Sequence, residues 1–284
     1  MSNLSSRKGL PCPKGSLVLI TGATGGLGKA FAVECASRGW DLFLTDLNQD
    51  ALTNLSDCIR RTYGVAVTCQ ACNLTDPDAR ARLFDAFARQ HLRFWFLINV
   101  AGVDFEGPFF EQTCQQILSI VRLNIEATLA MTHAILPYRD AASAFHILNV
   151  ASLAAFSPMP VKATYAASKR FLLDFSLALR EELRELGITV TALCPAGMPT
   201  NSDCVRAIDA QGLAGQITTQ NIGSVADQAL QAALAGKAVC VPGVMNRLIQ
   251  IMSALLPTSL TVSLIGSRWK SAQRKRFQLV QESG

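Results

Sequence analysis

The stretch "LVLITGATGGLGKAF", Leu17–Phe31, decides the fold of this chain. Its first residues are apolar and predict a short buried strand, while Leu27, Phe31 and Cys35 recur at helical spacing. Four glycines separate the strand from the helix: Gly22, Gly25, Gly26 and Gly28. Such a cluster is costly unless the loop needs positive φ angles or a ligand approaches its main chain. Because a helix N-terminus favours an anion, the stretch predicts a loop that holds a pyrophosphate.

The glycine spacing differs from two common phosphate loops. Gly22, Gly26 and Gly28 do not form G-x-G-x-x-G, and the Lys-Ser/Thr pair of a P-loop is missing. A glycine-rich turn without a ligand is the alternative on the loop alone.

Composition indicates one globular unit. Half of the 284 residues are apolar and 17% are charged, and no linker, repeat or low-complexity run divides the chain. We expect a main domain over residues 1–244 and an extension over 245–284. The nine cysteines are odd in number and no signal peptide precedes the first strand, which favours a cytoplasmic location. "CQAC", Cys69–Cys72, lies on a strand without a second pair downstream, so we expect buried thiols and no metal site.

The net charge of +5 comes from the end of the chain. Residues 245–284 hold one acid, Glu282, and these basic residues: Arg247, Arg268, Lys270, Arg274, Lys275 and Arg276. The preceding residues are neutral in sum, and the basic tail lacks interleaved aromatic residues. We therefore expect no nucleic-acid partner.

Strands and helices alternate along the chain. The pattern predicts strands at 17–20, 41–46, 65–72, 144–152, 188–195 and 237–242, and a strand that runs into a loop over 93–102. It predicts later helices at 50–61, 77–91, 114–137, 163–186 and 224–235. The helix at 163–186 has an apolar stripe of Leu172, Phe175, Leu179, Leu183 and Leu186. Unbroken apolar strands between helices predict a single α/β domain with a doubly wound parallel (Rossmann) sheet and a C-terminal helical extension. Ligands bind such sheets beyond the carboxyl ends of the strands.

An acid ends the second predicted strand. Asp46 follows Gly28 by 18 residues, where a carboxylate can accept hydrogen bonds from an adenosine ribose and repel a 2′-phosphate. Its neighbour is Leu47 rather than an arginine. The pair favours NAD over NADP, and the alternative is that Asp46 only caps the next segment.

The sequence "YAASK" contains the most specific group of reactive side chains. Tyr165 and Lys169 are four residues apart and therefore share a helix face. An ammonium beside a phenol stabilises the phenolate, as an acid/base catalyst requires. Ser152 ends the fifth predicted strand, so hydroxyl, phenol and ammonium can converge on one substrate oxygen.

With these motifs the chain resembles the short-chain dehydrogenase/reductase family from Leu17 to Pro242. The matching motifs are "TGATGGLG", "NVAG", Asn124 in "RLNIEAT", Ser152, "YAASK" and "PAGMPT". The resemblance implies that Tyr165 is the general acid/base and that Ser152 polarises the carbonyl. It also implies that Lys169 holds the nicotinamide ribose, and that Asn124 supports a proton-relay water.

The resemblance also implies a set of cofactor-binding residues. These are Thr21, Gly22, Thr24, Gly25, Gly26, Leu27, Gly28, Asp46, Asn73, Leu74, Asn99, Ala101, Gly102, Tyr165, Lys169, Pro195, Gly197, Met198 and Thr200. The chain departs from the family pattern at Asn73, Val100 and Ala196, none of which is a catalytic group. We expect an NAD-dependent oxidoreductase, and the alternative is a catalytically silent dinucleotide-binding sensor on the same fold.

The predicted substrate walls are apolar: Phe105, Phe109, Phe110, Leu153, Phe156, Met159 and Met198. They favour a hydrophobic secondary alcohol or ketone, such as a hydroxysteroid or a 3-oxoacyl chain. Residues 248–267 carry no charge, so their length alone would allow a membrane span, but Pro257 and seven Ser, Thr or Gln side chains argue against one. We expect a packed lid or a subunit contact or, with the basic cluster to residue 276, a peripheral membrane contact, and a true span is the remaining alternative. The family resemblance further implies a homo-oligomer, a dimer or a tetramer.

Overall fold

The computed structural model describes residues 13–198, 219–263 and 265–267. Its sheet is parallel, with the strand order β3-β2-β1-β4-β5-β6-β7. The strands are β1 Ser16–Thr21, β2 Leu42–Asp46, β3 Val67–Ala71, β4 Arg93–Asn99, β5 Phe145–Val150, β6 Ile188–Leu193 and β7 Val239–Cys240. Since neighbouring strands run in the same direction, all of their carboxyl ends lie along one edge.

The α-helices are α1 Gly26–Ser37, α2 Gln49–Tyr63, α3 Pro77–Arg89, α4 Cys114–Ile120, α5 Thr128–Ile135, α6 Ala163–Leu183, α7 Ile222–Leu234 and α8 Val244–Leu255. A π-helical segment, Val121–Ala127, joins α4 to α5. Single turns of 3-10 helix occupy Phe109–Glu111, Leu136–Tyr138, Leu153–Phe156 and Arg184–Leu186. The fold class predicted from the sequence is confirmed.

Helices cover both faces of the sheet. Successive strand residues point to opposite faces: Val18 and Ile20 pack with α1, α2 and α7, whereas Leu19 packs with α3, α5 and α6. All three are fully buried. Burial of a Leu or Ile side chain contributes about 1.5–3 kcal/mol, so β1 is a central stabilising element that also carries the glycine loop.

Several predicted boundaries were wrong. The helix expected over 114–137 contains the π segment, and the last strand covers only Val239–Cys240. The apolar stripe of α6 ends at Leu183, since Leu186 lies in the following 3-10 turn and is 58% exposed. Cys72 is buried as expected, whereas Cys69 is half-buried because its strand lies at the sheet edge.

The chain reverses its direction of strand addition between β1 and β4. Strands β2 and β3 are added on one side of β1, and β4 to β7 on the other. The loops that follow β1 and β4 therefore turn toward opposite faces of the sheet. A crevice opens between these loops, at the carboxyl ends of the two strands. This crevice is where the predicted site residues must meet.

Candidate active site

Two glycines of the loop after β1 are required by contacts within the protein. Gly22 has φ +63°, and a Cβ on it would lie 2.8 Å from the Cα of Ala101. A Cβ on Gly28 would lie 2.0 Å from the carbonyl oxygen of Gly22. These glycines allow the loop to pack against the chain after β4 and allow α1 to begin directly over the loop.

The N-terminus of α1 is available to an anion. Gly25 is the N-cap residue and provides no side-chain hydrogen bond, and the first turn contains no acid. The first N–H groups of a helix have no intrahelical partner and carry partial positive charge. Leu27 is only 6% exposed, so its predicted contact with a ligand would have to involve its main chain.

Asp46 is held in place at the end of β2. Its Oδ2 accepts hydrogen bonds from the main-chain N–H of Thr24 at 2.8 Å and from the Thr24 hydroxyl at 2.6 Å. Its Oδ1 accepts from the N–H of Leu47 at 2.7 Å. The Leu47 side chain is 69% exposed beside it. The carboxylate is thus fixed next to the glycine loop, with the exposed apolar side chain of Leu47 beside it.

After β3, the two predicted adenine contacts differ in exposure. The exposed Asn73 accepts hydrogen bonds from the N–H and hydroxyl of Thr75 through its Oδ1. Leu74 is 4% exposed and belongs to the core. Only Asn73 of this pair offers a side chain at the surface.

The end of β4 is tied to the end of β1. The hydroxyl of Thr21 accepts hydrogen bonds from the N–H of Val100 at 3.1 Å and of Ala101 at 3.2 Å. The Asn99 side chain is buried and donates to Thr132 and Asn149. The side chains of Thr21 and Asn99 are therefore buried beneath the crevice, and only their main chains could contact a ligand in it.

Asn124 occupies the centre of the π segment and is fully buried. Its Nδ2 donates to the carbonyl of Val103 and to the Ser168 hydroxyl, both at 3.0 Å, and its Oδ1 accepts from the N–H of Val103 at 2.8 Å. The side chain therefore joins the loop after β4 to α6. A π turn changes the hydrogen-bond register of its backbone, a feature frequent at functional sites.

Lys169 lies beneath the crevice and is 4% exposed. Its Nζ donates to the carbonyl of Val150 at 2.8 Å. Burial lowers its pKa to about 8, against the opposing influence of Asp104 and Cys194. A Cβ on Gly102 would lie 3.4 Å from Nζ, so Gly102 leaves the approach to the ammonium open.

Tyr165 and Ser152 meet Lys169 at the end of β5. The Lys169 Nζ lies 5.6 Å from the centre of the half-buried Tyr165 ring. Ser152 begins the 3-10 turn Leu153–Phe156, which packs on α6, and its Oγ accepts a hydrogen bond from the N–H of Ala154 at 3.1 Å. The structure thus brings the hydroxyl, phenol and ammonium of the predicted catalytic residues to one edge of the sheet.

A second lysine, which sequence reasoning missed, lies beside the tyrosine. Lys162 Nζ is also 5.6 Å from the centre of the Tyr165 ring. It forms ion pairs with Asp104 at 2.5 Å and Glu106 at 3.2 Å. Burial lowers the pKa of Lys162, but the two carboxylates outweigh this effect and the pKa is raised overall. The sequence contains no spacing signal for this cluster because Lys162 is the N-cap residue of α6, whereas both acids lie on the loop after β4.

The chain after β6 forms another wall. Pro195 is buried and its carbonyl accepts a hydrogen bond from the N–H of Leu153 at 2.8 Å. Gly197 is exposed, and the half-buried Met198 packs against the core. Thr200 lies outside the described residues.

The predicted apolar walls are only partly enclosed. Phe105, Leu153, Phe156 and Met159 are half-buried, while Phe109 is 61% and Phe110 85% exposed. The extension lies close to these residues: α8 contacts the turn Leu153–Phe156, and a Cβ on Gly266 would lie 3.2 Å from Pro160. Helix α8 and Gly266 therefore lie beside the segment that follows Ser152.

These residues fit a bound nicotinamide dinucleotide. Three features lie along the carboxyl ends of β1, β2, β4 and β5. They are the uncapped N-terminus of α1, the fixed carboxylate of Asp46 and the open approach past Gly102 to Lys169. An anion-binding helix end followed by a ribose-binding acid is the order that a dinucleotide requires.

Comparison with known families agrees with this geometry. The family described as "short chain dehydrogenase" matches residues 16–210, more than half of the chain. The chain belongs to the short-chain dehydrogenase/reductase family.

Among curated relatives, a very-long-chain 3-oxoacyl-CoA reductase of Laccaria bicolor is 35% identical over 182 residues, which are 63% of this chain and 54% of that protein. The 17-beta-hydroxysteroid dehydrogenase type 3 of Homo sapiens is 30% identical over 188 residues, 66% of this chain and 60% of the relative. The match thus spans little more than half the length of these relatives.

Among solved structures, a short-chain dehydrogenase from Sphingobium yanoikuyae in complex with NADPH superposes with a TM-score of 0.72 and 29% identity, covering 85% of this chain and 96% of that one. A short-chain dehydrogenase/reductase from Burkholderia phymatum in complex with NAD has a TM-score of 0.73 and 24% identity, over 85% and 92% of the two chains, and shows the shared fold. Within the described part of the chain, no helix is long and apolar enough to cross a membrane.

Proposed function

We propose that this protein is a nicotinamide-dependent oxidoreductase that interconverts a hydrophobic secondary alcohol and the corresponding ketone. The observation that carries the proposal is the placement of Tyr165 beside Lys169, with Lys169 anchored to the end of β5 next to Ser152. Bound dinucleotide supplies or accepts the hydride, and the protein handles the proton.

In ketone reduction, the Tyr165 phenol gives its proton to the substrate oxygen, and in alcohol oxidation the phenolate takes it back. Ser152 donates a hydrogen bond to the same oxygen and fixes its position. The Lys169 ammonium stabilises the phenolate that remains after proton donation. Asn124 positions this group because its side chain joins the loop after β4 to α6.

For the cofactor, we propose that the glycine loop and the start of α1 hold the pyrophosphate and that Asp46 accepts hydrogen bonds from the adenosine ribose. NAD is preferred to NADP because a 2′-phosphate would meet the Asp46 carboxylate and the apolar Leu47. The remaining residues named for cofactor binding belong to this proposal as well; those that the structure describes lie at the same edge of the sheet, and Thr200 is included on the family motif alone.

The proposed substrate is a 3-oxoacyl thioester or a ketosteroid. Phe105, Leu153, Phe156 and Met159 provide a predominantly apolar wall, which suits either substrate better than a sugar. The names of the two curated relatives support the same two classes.

The test is dinucleotide-dependent turnover by purified protein with 3-oxoacyl thioesters, 17-ketosteroids and simple ketones, beside the Tyr165→Phe variant. We expect turnover of one hydrophobic class, lost by about 10³-fold or more in the variant, while dinucleotide binding measured by fluorescence is retained. Unchanged turnover in the variant would refute the assignment. Tight dinucleotide binding without turnover of any carbonyl would favour the silent sensor.

We further propose that α8 and the residues after it cover the apolar wall and rest on an anionic membrane surface. Six large apolar side chains of α8 are exposed, namely Val244, Met245, Leu248, Ile249, Ile251 and Met252. Residues 244–267 contain no acid, and five basic residues follow at 268–276. An apolar helix face next to positive charge is typical of interfacial attachment.

Sedimentation with phosphatidylglycerol vesicles tests the membrane contact. The wild type should sediment at low salt, and the double variant Ile251→Gln/Met252→Gln should remain in the supernatant. Equal sedimentation of the two proteins would rule out this helix as the attachment site. Loss of dimerisation rather than of sedimentation in the variant would indicate a subunit contact.

We also propose a homo-oligomer formed through α6. Its outer face exposes Phe171 at 39% and Leu177 at 37%, and Phe171 stacks on Phe175 at 6.1 Å. Light scattering of the wild type and of Phe171→Glu tests this proposal, with a decrease in mass expected for the variant.

A further inference from the structure

The Tyr165 ring lies near two ammonium groups, one buried and one partly buried. The Nζ atoms of Lys162 and Lys169 are each 5.6 Å from the centre of its ring. Lys169 follows the tyrosine on the same face of α6, whereas Lys162 is the N-cap residue of that helix. The catalytic role proposed above uses only Lys169.

Lys162 is held by two acids from another loop. Its side chain is 15% exposed, and Asp104 and Glu106 pair with it from the segment between β4 and α4. The loop that follows β4 is thus attached to the residue that begins α6. The Asp104 and Glu106 side chains are 29% and 19% exposed, so these partly buried pairs are screened less by salt than fully exposed pairs.

A strained residue next to Lys162 also bonds to the loop after β4. Val161 has φ +62°, which is a genuine outlier for a β-branched residue. Its carbonyl accepts a hydrogen bond from the N–H of Gly107 at 2.9 Å. Gln112 in turn donates to the carbonyls of Phe105 and Gly107. A strained residue persists only where the surroundings determine its conformation, and such residues cluster at functional sites.

We propose that Lys162, paired with Asp104 and Glu106, is a positioning residue that fixes the loop after β4 against Tyr165 and sets the pH range in which this tyrosine works. The inference rests on the proposed function of Tyr165, but the arrangement of charges can be tested without substrate.

The charged and titratable groups around the phenol come from three elements. Lys162 and Lys169 belong to the start of α6, Asp104 and Glu106 to the loop after β4, and Cys194 to the end of β6. Asp104 raises the pKa of both lysines and so favours their charged forms, while burial holds the Cys194 thiol neutral by raising its pKa to about 12. Removing Lys162 would leave the two carboxylates that pair with it without their counter-charge.

The test is the ultraviolet absorbance of tyrosinate as a function of pH. The chain has three tyrosines, so the difference between each protein and the same protein with Tyr165→Phe isolates the titration of Tyr165. We expect Lys162→Gln to raise the pKa of Tyr165 by about one unit or more, because a unit charge is lost at close range in a partly buried site. Glu106→Gln should lower it, because a negative charge is lost.

Two further variants show whether the charge of Lys162 or its packing causes the shift in the Tyr165 titration. Lys162→Arg keeps the charge and should restore the Tyr165 titration to within about 0.3 units of the wild type. Lys237→Gln removes the same charge from an exposed position before β7 and should cause no change. Shifts of the same sign in Lys162→Gln and Glu106→Gln, or no shift in either, would overturn the proposal. If Lys162→Gln does not fold, Lys162→Arg and Glu106→Gln decide it by the same criteria.

The pH profile of kcat then connects the cluster to the reaction. In alcohol oxidation the rate depends on phenolate, so the acidic limb should move to higher pH in Lys162→Gln by the amount seen in the titration. KM for the dinucleotide should remain within about twofold of the wild-type value, since the charge pairs lie between the loop after β4 and the start of α6. A titration shift without turnover in the wild type would support the arrangement of charges and reject the proposed reaction.

Discussion

Gly28 lies directly against Gly22, and a Cβ on Gly28 would come within 2.0 Å of the Gly22 carbonyl oxygen. The contact links the first turn of α1 to the end of β1. No side-chain rotation can relieve such an overlap because a Cβ position is set by the backbone. Part of the glycine loop is therefore needed for folding, independently of any ligand.

Gly28→Ala should lower the free energy of unfolding by about 2–4 kcal/mol, because α1 must move away from the loop. The matched control is Gly25→Ala, whose Cβ would lie 3.4 Å from the same oxygen and whose φ is −71°. Denaturant unfolding should place Gly25→Ala within about 1 kcal/mol of the wild type. Equal losses of stability in both variants would contradict a specific requirement for glycine at position 28.

The Asp46→Ser/Leu47→Arg double variant should shift the dinucleotide preference toward NADP. It removes a carboxylate and adds a guanidinium where a 2′-phosphate would lie, and we expect a change of about 100-fold in the ratio of the two dissociation constants. Fluorescence titration with both reduced dinucleotides measures the ratio. A wild type that binds the NADP form as tightly as the NAD form would refute the proposed discrimination.

Lys169→Met should raise stability at neutral pH while removing activity. Burial lowers the pKa of Lys169 in the folded protein to about 8 from its ordinary 10.5, so the charged form is disfavoured by about 3 kcal/mol at pH 7. Loss of the hydrogen bond to Val150 offsets about 1 kcal/mol, leaving a net gain of about 2 kcal/mol.

The gain from Lys169→Met should be largest below pH 8. It should diminish as the pH rises toward 10.5, where the unfolded chain also loses this proton. Urea unfolding at several pH values measures the difference, with the exposed Lys237→Met as the control. A Lys169→Met protein that is less stable than the wild type at pH 7 would contradict the effect of burial.

His146→Gln should reduce the loss of stability in acid. His146 is 5% exposed on β5, its Nδ1 lies 2.7 Å from the Thr189 hydroxyl, and burial lowers its pKa to about 4. Above pH 6.5 the His146 imidazole is neutral in both the folded and the unfolded chain. Between pH 6.5 and 4 the unfolded chain takes up a proton that the folded protein resists, which costs the folded state about 3 kcal/mol.

Urea unfolding between pH 7 and 4 tests this effect against the exposed His133→Gln. The slope of stability with pH should be shallower in His146→Gln than in the wild type and unchanged in His133→Gln. Parallel slopes in all three proteins would show that His146 does not couple folding to protonation.

The positions of strands and helices could be predicted because hydrophobic periodicity and capping are local. Asn48 and Asp76 cap α2 and α3 from the residues directly before them, and β1 is a continuous apolar run. The family and fold followed from motifs that each lie within a few residues. The π segment at 121–127 could not be predicted, since its hydrogen-bond register reflects how Asn124 engages Val103 on a separate loop.

The sequence by itself determined the doubly wound sheet, the family and the proximity of Tyr165 to Lys169, because helical spacing places residues i and i+4 on one face. Only the tertiary structure decided that Lys162 pairs with Asp104, 58 residues earlier, and that the ammonium groups of both lysines lie 5.6 Å from the centre of one tyrosine ring. Contacts between loops depend on the packing of the elements that carry them. Burial likewise arises only on folding, and it is burial that lowers the pKa of Lys169.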